Sequence, residues 1–422
     1  MRLDLTQPCL PALSQPSLKI SILVSDLSKS GAGRWGGAVR PFLLAQALRQ
    51  AGYTTELIGF TEGEAAVVST PELPVKSVQG RLYPQFCGSA HKLLQQIEGD
   101  ILYAYKPKPS SFGLALIHRL TTRKPLILDI DDWELSWHGG DDYRYQWGIK
   151  SSIRDFLMPA GALRQPDHPL YLQRMETLIR QADAVTVHNQ FLAQRFGGAF
   201  VPNGKDVKLF DPQQYGSQAL KQRYGLANYR TLMFPGAPRP YKGLEDVLAA
   251  LDLLDQPDLR LVIVGGSPYD DYDQHLMQQW SHRIIQLPRQ PADQMPEIVA
   301  AADVIVVPQR DTAATRAQFP LKLTDGMAMA KPVLASRVGD IPSILADTGY
   351  LVDPDAPDQL ATAIQSIFAD PAAAAHKGLS ARARCVEHYS IEAMSKRLAG
   401  VISNLVDPSE KFTRRCSGAS YS

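Results

Sequence analysis

The chain has 422 residues, 45% of them hydrophobic and 21% charged, with a net charge of +1. That length suggests two domains of roughly 200 residues each, and the composition is ample for two buried cores. A nearly neutral chain sets up no global field to attract nucleic acid, so any anion must be bound locally.

The four cysteines, Cys9, Cys87, Cys385 and Cys416, lack metal or redox spacing and read as free thiols of a reducing compartment. Met1 to Ser17 carries three prolines and no apolar run, so it does not read as a signal peptide. No run of about 18 apolar residues occurs, and no membrane span is expected. The expected location is cytoplasmic, with contact to the inner face of a membrane left open.

In chain order, short Val-, Ile- and Leu-rich runs recur at 20–24, 126–130, 184–187, 261–264, 304–307 and 332–335. Such runs predict strands buried on both faces, as in parallel sheets. Helices fall between them. Val39, Leu43, Leu44, Ala47, Leu48 and Ala51 share one face, and so do Leu244, Val247, Leu248, Leu251 and Leu254. Strand, glycine loop, helix and strand at 19–60 are repeated as a unit at 230–266. Two Rossmann-like α/β domains are predicted, separated near 204–228. The polar residues 407–422 are expected to be a disordered tail.

Ligands of open parallel sheets bind beyond the carboxyl ends of the strands, so the loops there are the candidate sites. The loop 25–40 contains Gly31, Gly33, Gly36 and Gly37, which let backbone N–H groups approach an anion. Asp129-Ile-Asp-Asp-Trp133 follows a strand with three carboxylates, suited to acid/base work, a metal or a helix cap. Pro235 to Gly243 places Arg239 and Lys242 before a helix, where two cations and the helix dipole suit a diphosphate. Gly236 lies in that loop, and Gly265-Gly266 ends another strand. Lys322 and Asp325 sit three apart on one helix face.

The segment Pro320-Leu-Lys-Leu-Thr-Asp-Gly-Met-Ala-Met-Ala-Lys-Pro-Val333 resembles the donor-site motif of retaining glycosyltransferase family 4, the group 1 glycosyltransferases. Gly339-Asp-Ile-Pro342, Pro235–Gly243 and Val201-Pro-Asn-Gly204 are similar to further motifs of that family in the same order. The resemblance covers roughly residues 19–400.

It implies a GT-B fold, two Rossmann-like domains facing a cleft: 1–204 for the acceptor, 205–390 for the nucleotide sugar, and a helix at 391–406 crossing back. It also implies a hexosyltransferase that retains anomeric configuration. A UDP- or GDP-sugar would be the donor, and a lipid or glycan hydroxyl the acceptor, without metal or cofactor. By resemblance Arg239 and Lys242 neutralise the diphosphate and Asp325 binds the ribose. Gly36, Gly37, Gly236, Gly265, Gly266 and Lys322 complete the donor site. Asp131 stands where the family often has a histidine and is expected to orient acceptor or sugar. Asp132, Trp133 and Trp137 are the acceptor candidates.

The family's first motif glutamate is Ala317 here, and its glycine after Met-Ala-x is Ala330. The aromatic and basic stretch 133–164 suits a membrane interface, stacking on sugars, or an ordinary packed insertion. Two other classes remain open from sequence: a nucleotide-sugar epimerase of the same fold and a non-catalytic scaffold. A dehydrogenase is disfavoured, because no GxGxxG precedes an acidic residue at the required distance.

Overall fold

The structure, a computed structural model, describes residues 18–28, 39–63, 69–158, 161–267 and 270–406. The glycines of the first loop, including Gly36 and Gly37, and the segments 1–17 and 407–422 lie outside the described residues.

Two separate sheets form, and every pairing in both is parallel. The first contains β1 (Lys19–Val24), β2 (Thr54–Thr61), β3 (Val75–Gln79), β4 (Ile101–Tyr105), β5 (Leu126–Ile130), β6 (Ala184–Val187) and β7 (Ala199–Phe200), in the order β3-β2-β1-β4-β5-β6-β7. The second contains β8 (Arg230–Pro235), β9 (Leu259–Val264), β10 (Ile284–Leu287), β11 (Val304–Val307), β12 (Val333–Ser336) and β13 (Tyr350–Val352), ordered β10-β9-β8-β11-β12-β13. The central strands β4, β5 and β11 are buried along their whole length, which is why they read as unbroken apolar runs. Strand order reverses between β1 and β4 in one sheet and between β8 and β11 in the other. Those two switch points open the crevices in which such sheets hold ligands.

Five helices matter for the site: α1 (Val39–Gln50), α2 (Leu244–Leu254), α3 (Leu321–Ala328), α4 (Pro371–Tyr389) and α5 (Ile391–Val406). The apolar face of α5 packs Ile391, Met394, Leu398 and Ile402 against Leu44 and Leu48 of α1 and Ile20 and Ile22 of β1. The last helix therefore belongs to the core of the first sheet. The chain crosses between the two halves twice, side by side. Lys205 donates its N–H to Tyr389 O at 2.7 Å, and Ile391 donates to Lys205 O at 3.1 Å. Gly204 is needed there, because a Cβ would stand 2.9 Å from the Ile391 Cα.

Candidate active site

The loop that carries Arg239 and Lys242 begins where β8 ends. Gly236 has φ +148, a conformation that favours glycine. Pro240–Lys242 makes one tight turn, and Gly243, at φ +65, then opens α2. A Cβ on Gly243 would lie 2.0 Å from the Pro308 carbonyl oxygen, so the turn at the β8/β11 switch point admits only glycine. This turn presses the loop after β8 onto the loop after β11.

Three cations converge at this point. Lys242 donates to Gln318 Oε1 at 2.7 Å. Arg239 reaches Asp270 at 3.2 Å. Lys322, from α3, places its ammonium 4.5 Å from the Phe234 ring centre and passes under Gly236. Burial pushes the Lys322 ammonium down to about 8. Burial, and then repulsion from Lys322 and Arg239, holds Lys242 well below the ordinary lysine range. Desolvated like charges this close favour a bound anion that neutralises them. Gln309, buried after β11, leaves its Oε1 without a partner beside Gln318.

The rest of α3 divides between site and core. Asp325 is buried and ion-paired with Lys205 from the crossing segment, rather than with its helix neighbour Lys322. Gly326, Met327 and Ala328 pack into the second sheet; a Cβ on Gly326 would come within 3.0 Å of Ile305 and Val333. Ala330 has φ +53, which explains why the related family carries glycine at this position. Gly265, at φ +97, and Gly266 end β9; a Cβ on Gly266 would sit 2.5 Å from an Asp273 carboxylate oxygen. Local packing thus requires that pair whatever else it does.

On the acceptor side, Asp129 is a structural residue. Fully buried Arg40 grips it at 2.6 and 2.7 Å, and Thr186 donates to it at 2.6 Å. The same guanidinium donates to Asn203 Oδ1 and Val201 O, tying α1 to the crossing segment. Asp131 accepts from the Tyr105 hydroxyl at 2.6 Å through one oxygen; the other, Oδ1, makes no hydrogen bond and faces the Lys106 ammonium at 3.6 Å. Asp132 accepts from the Trp137 indole at 2.9 Å and has a second, unpartnered oxygen. Burial pushes its carboxyl up to about 7 against the pull of Lys106. Among the described residues, no cluster of three metal-ligating side chains is present.

Trp133 corrects the sequence reading. Its indole is buried, donates to Glu176 at 3.1 Å and stacks under the Arg195 guanidinium at 3.7 Å. It packs the first domain and is not available to an acceptor. Trp137 instead crosses to the donor loop, its ring centre 5.4 Å from that of Tyr241. Asp132, Trp137, Tyr241 and Lys242 therefore form a line across the cleft.

Several residues at the cleft were not singled out from sequence. His188 follows β6 directly; its Nε2 lies 3.1 Å from Ala317 O, and its Nδ1 is buried without a partner. Burial, reinforced by Arg40, pushes this imidazole down to about 4. Asn189 donates to Arg316 O at 3.1 Å, and the Gln190 N–H donates to Asp340 at 2.8 Å. Ala317, where the family places a carboxylate, is fully buried in this contact. Lys205, Gln309 and Gln318 were also passed over. A polar residue just beyond the end of an apolar strand, His188 after β6 and Gln309 after β11, is the sequence signal for these positions.

Residues 229–370 match the family described as "Glycosyl transferases group 1", as the motifs implied. A GDP-mannose-dependent alpha-(1-6)-phosphatidylinositol monomannoside mannosyltransferase of Mycolicibacterium smegmatis is 28% identical over 251 residues, 56% of this chain and 66% of the relative. The alignment thus spans just under two thirds of that relative's length. A D-inositol 3-phosphate glycosyltransferase of the same organism is 24% identical over 96% of this chain and 95% of its own. Anabaena HepE, solved in complex with UDP and glucose, superposes with a TM-score of 0.70 at 19% identity, covering 92% of this chain and all of that one. The fold is GT-B.

Proposed function

We propose that the protein is a hexosyltransferase that moves a sugar from a nucleoside diphosphate sugar to a hydroxyl of a lipid or glycan acceptor. The observation that carries this reading is the convergence of Arg239, Lys242 and Lys322 at the β8/β11 switch point. Burial holds Lys242 and Lys322 below the ordinary lysine range, Lys322 and Arg239 repel Lys242, and Arg239 is ion-paired with Asp270 at the rim. In transfer, the bond from the anomeric carbon to the diphosphate oxygen breaks as a bond to the acceptor oxygen forms, negative charge grows on the leaving diphosphate, and the acceptor's hydroxyl proton passes to that departing oxygen. Preorganised cations at that point stabilise the charge most where water is excluded. With these cations in place no metal is needed, and retention of configuration is the outcome that the family resemblance favours.

Asp132 and Asp131 lie on the opposite wall, each with an oxygen that accepts no hydrogen bond, that of Asp131 facing Lys106, and able to accept from an acceptor or sugar hydroxyl. Trp137 sits between Asp132 and the donor loop and would line the path of the acceptor. Asp325 with Lys205 would meet the ribose. The relatives support both a guanine and a uracil nucleotide, since one is named for GDP-mannose and the HepE complex contains UDP.

Transfer from GDP-mannose and from UDP-glucose to glycosyl diacylglycerol, followed by chromatography, tests this. Arg239→Ala should lower turnover about 10²-fold, as loss of one preorganised donor does, with an unchanged melting temperature. Wild-type turnover in that variant would refute the assignment of the diphosphate site.

A further inference from the structure

The helix Ile149–Leu157 is built inside out. Its buried residue is an aspartate, Asp155, held by the Tyr145 hydroxyl at 2.6 Å and by Arg154 at 2.9 Å. Ser151 and Ser152 are also turned partly inward. The outward face carries Ile149, Ile153, Phe156 and Leu157, exposed by 83%, 55%, 62% and 65%. These residues are spaced at 4, 7 and 8 positions from the first, which is one helical stripe. Trp147 and Met158 extend the stripe at either end, also exposed. A soluble amphipathic helix turns its apolar stripe to the core; this one turns it to the surroundings.

The charge around the stripe is one-sided. Residues 143–164 contain four basic side chains, Arg144, Lys150, Arg154 and Arg164, and a single acidic one, the inward Asp155. Arg144 and Lys150 are exposed. Beside the stripe lies an open depression of about 480 Å³ lined by polar groups, among them Arg144, Ser151, Arg154 and His168. An apolar ridge flanked by exposed cations, above polar ground, has the layering of a headgroup region.

We propose that this helix docks the protein on a bilayer leaflet containing anionic lipids. Ile149, Ile153, Phe156, Leu157 and Trp147 enter the acyl boundary, while Arg144 and Lys150 meet lipid phosphates. The occupant is a membrane rather than a protein because the apolar stripe is short and rimmed by exposed cations, Arg144 and Lys150, that suit anionic headgroups. This docking does not depend on the transferase reading, and it would bring a membrane-embedded acceptor to the domain that contains Asp131 and Asp132.

Flotation of the full chain with vesicles of phosphatidylcholine alone, and of phosphatidylcholine with phosphatidylglycerol, tests this without any donor. Wild-type protein should float with the anionic vesicles and leave them as salt rises. Ile149→Ser/Ile153→Ser/Phe156→Ser should weaken partition at least tenfold. Arg144→Gln/Lys150→Gln should remove the preference for anionic lipid. Both variants should keep the wild-type melting temperature and the wild-type affinity for GDP or UDP in calorimetry. Absence of wild-type binding to either vesicle, or undiminished binding by the triple variant, would overturn the proposal. So would sedimentation showing that the triple variant converts a wild-type oligomer to monomers that never bound vesicles, since the stripe would then be an interface between copies. Nucleotide binding fails or holds separately, so each reading can fall alone.

Discussion

The proposed diphosphate site predicts that donor affinity depends on pH through the desolvated lysines. Lys322 titrates at about 8 in the donor-free protein, because burial disfavours its charge. A diphosphate against the ammonium restores a favourable charge partner and raises that value toward the ordinary lysine range. Binding therefore takes up a proton wherever the free lysine has lost one. At about pH 7 the free lysine is mostly charged; at about pH 9 about nine tenths of it is neutral. With the bound form titrating near 10, the dissociation constant should rise about tenfold between these pH values, or about 1.4 kcal/mol. Lys242 is depressed by the same causes and acts in the same direction, so tenfold is the least expected. Calorimetry with GDP-mannose and UDP-glucose reads this: the diphosphate diester does not ionise in that range, and the slope left in Lys322→Met subtracts the loss of the nucleobase N–H proton at its alkaline end. In two buffers of different ionisation enthalpy, the proton uptake itself should appear at about pH 9. Lys322→Met should weaken binding near neutrality and flatten part of the slope. Its donor-free form should melt no lower than wild type, because a charge held at a depressed pKa destabilises the fold below that pKa and is relieved as pH rises past it. A pH-independent affinity in the wild type, or an unaltered slope in Lys322→Met, would refute the placement of the diphosphate.

Arg40→Met should destabilise the protein by about 3–5 kcal/mol, because it leaves Asp129 buried without its guanidinium; urea unfolding measures this, and a loss under about 1 kcal/mol would contradict the network. Ala330→Gly should stabilise by about 1 kcal/mol, since φ +53 strains alanine and suits glycine; differential scanning calorimetry should show a melting temperature higher by about 2–4 °C.

What was legible from sequence has a physical pattern. Leu126–Ile130 and Val304–Val307 announced themselves because strands covered on both faces need apolar residues throughout. The placement of Arg239 and Lys242 in the loop after β8 was legible because position relative to a strand end is a local property. Partners far apart in the chain were not. Lys205 meets Asp325 across 120 residues, and His188 meets Ala317 across 129, with nothing in either segment pointing to the other. Trp133 misled for the same reason: it stands in a polar, aromatic stretch, yet Glu176 and Arg195, from distant parts of the chain, close over it. The helix Ile149–Leu157 shows the remaining gap. Its amphipathicity is written in the sequence, but which face turns inward is decided by Tyr145 and Arg154 holding Asp155.

Alanine at position 317 acquires a structural meaning from the contacts across the cleft. His188 approaches the Ala317 carbonyl, Asn189 the Arg316 carbonyl, and the Gln190 amide the Asp340 carboxylate. All three come from the end of β6 and the turn beyond it. All three land on the loop after β11 or on the Gly339-Asp-Ile-Pro segment that follows its neighbour β12. Ala317 is fully buried there against the first domain. A glutamate at 317 would place an ionised carboxylate in a contact that now offers an uncharged imidazole and apolar side chains, a cost of several kcal/mol unless the charge found a partner. The methyl side chain removes that cost and lets the domains meet directly through backbone carbonyls. The donor loop and the closure contact are then two sides of one element. Lys242 holds Gln318 one residue beyond Ala317, so an anion that engages Lys242 acts on the same short segment through which the first domain is held.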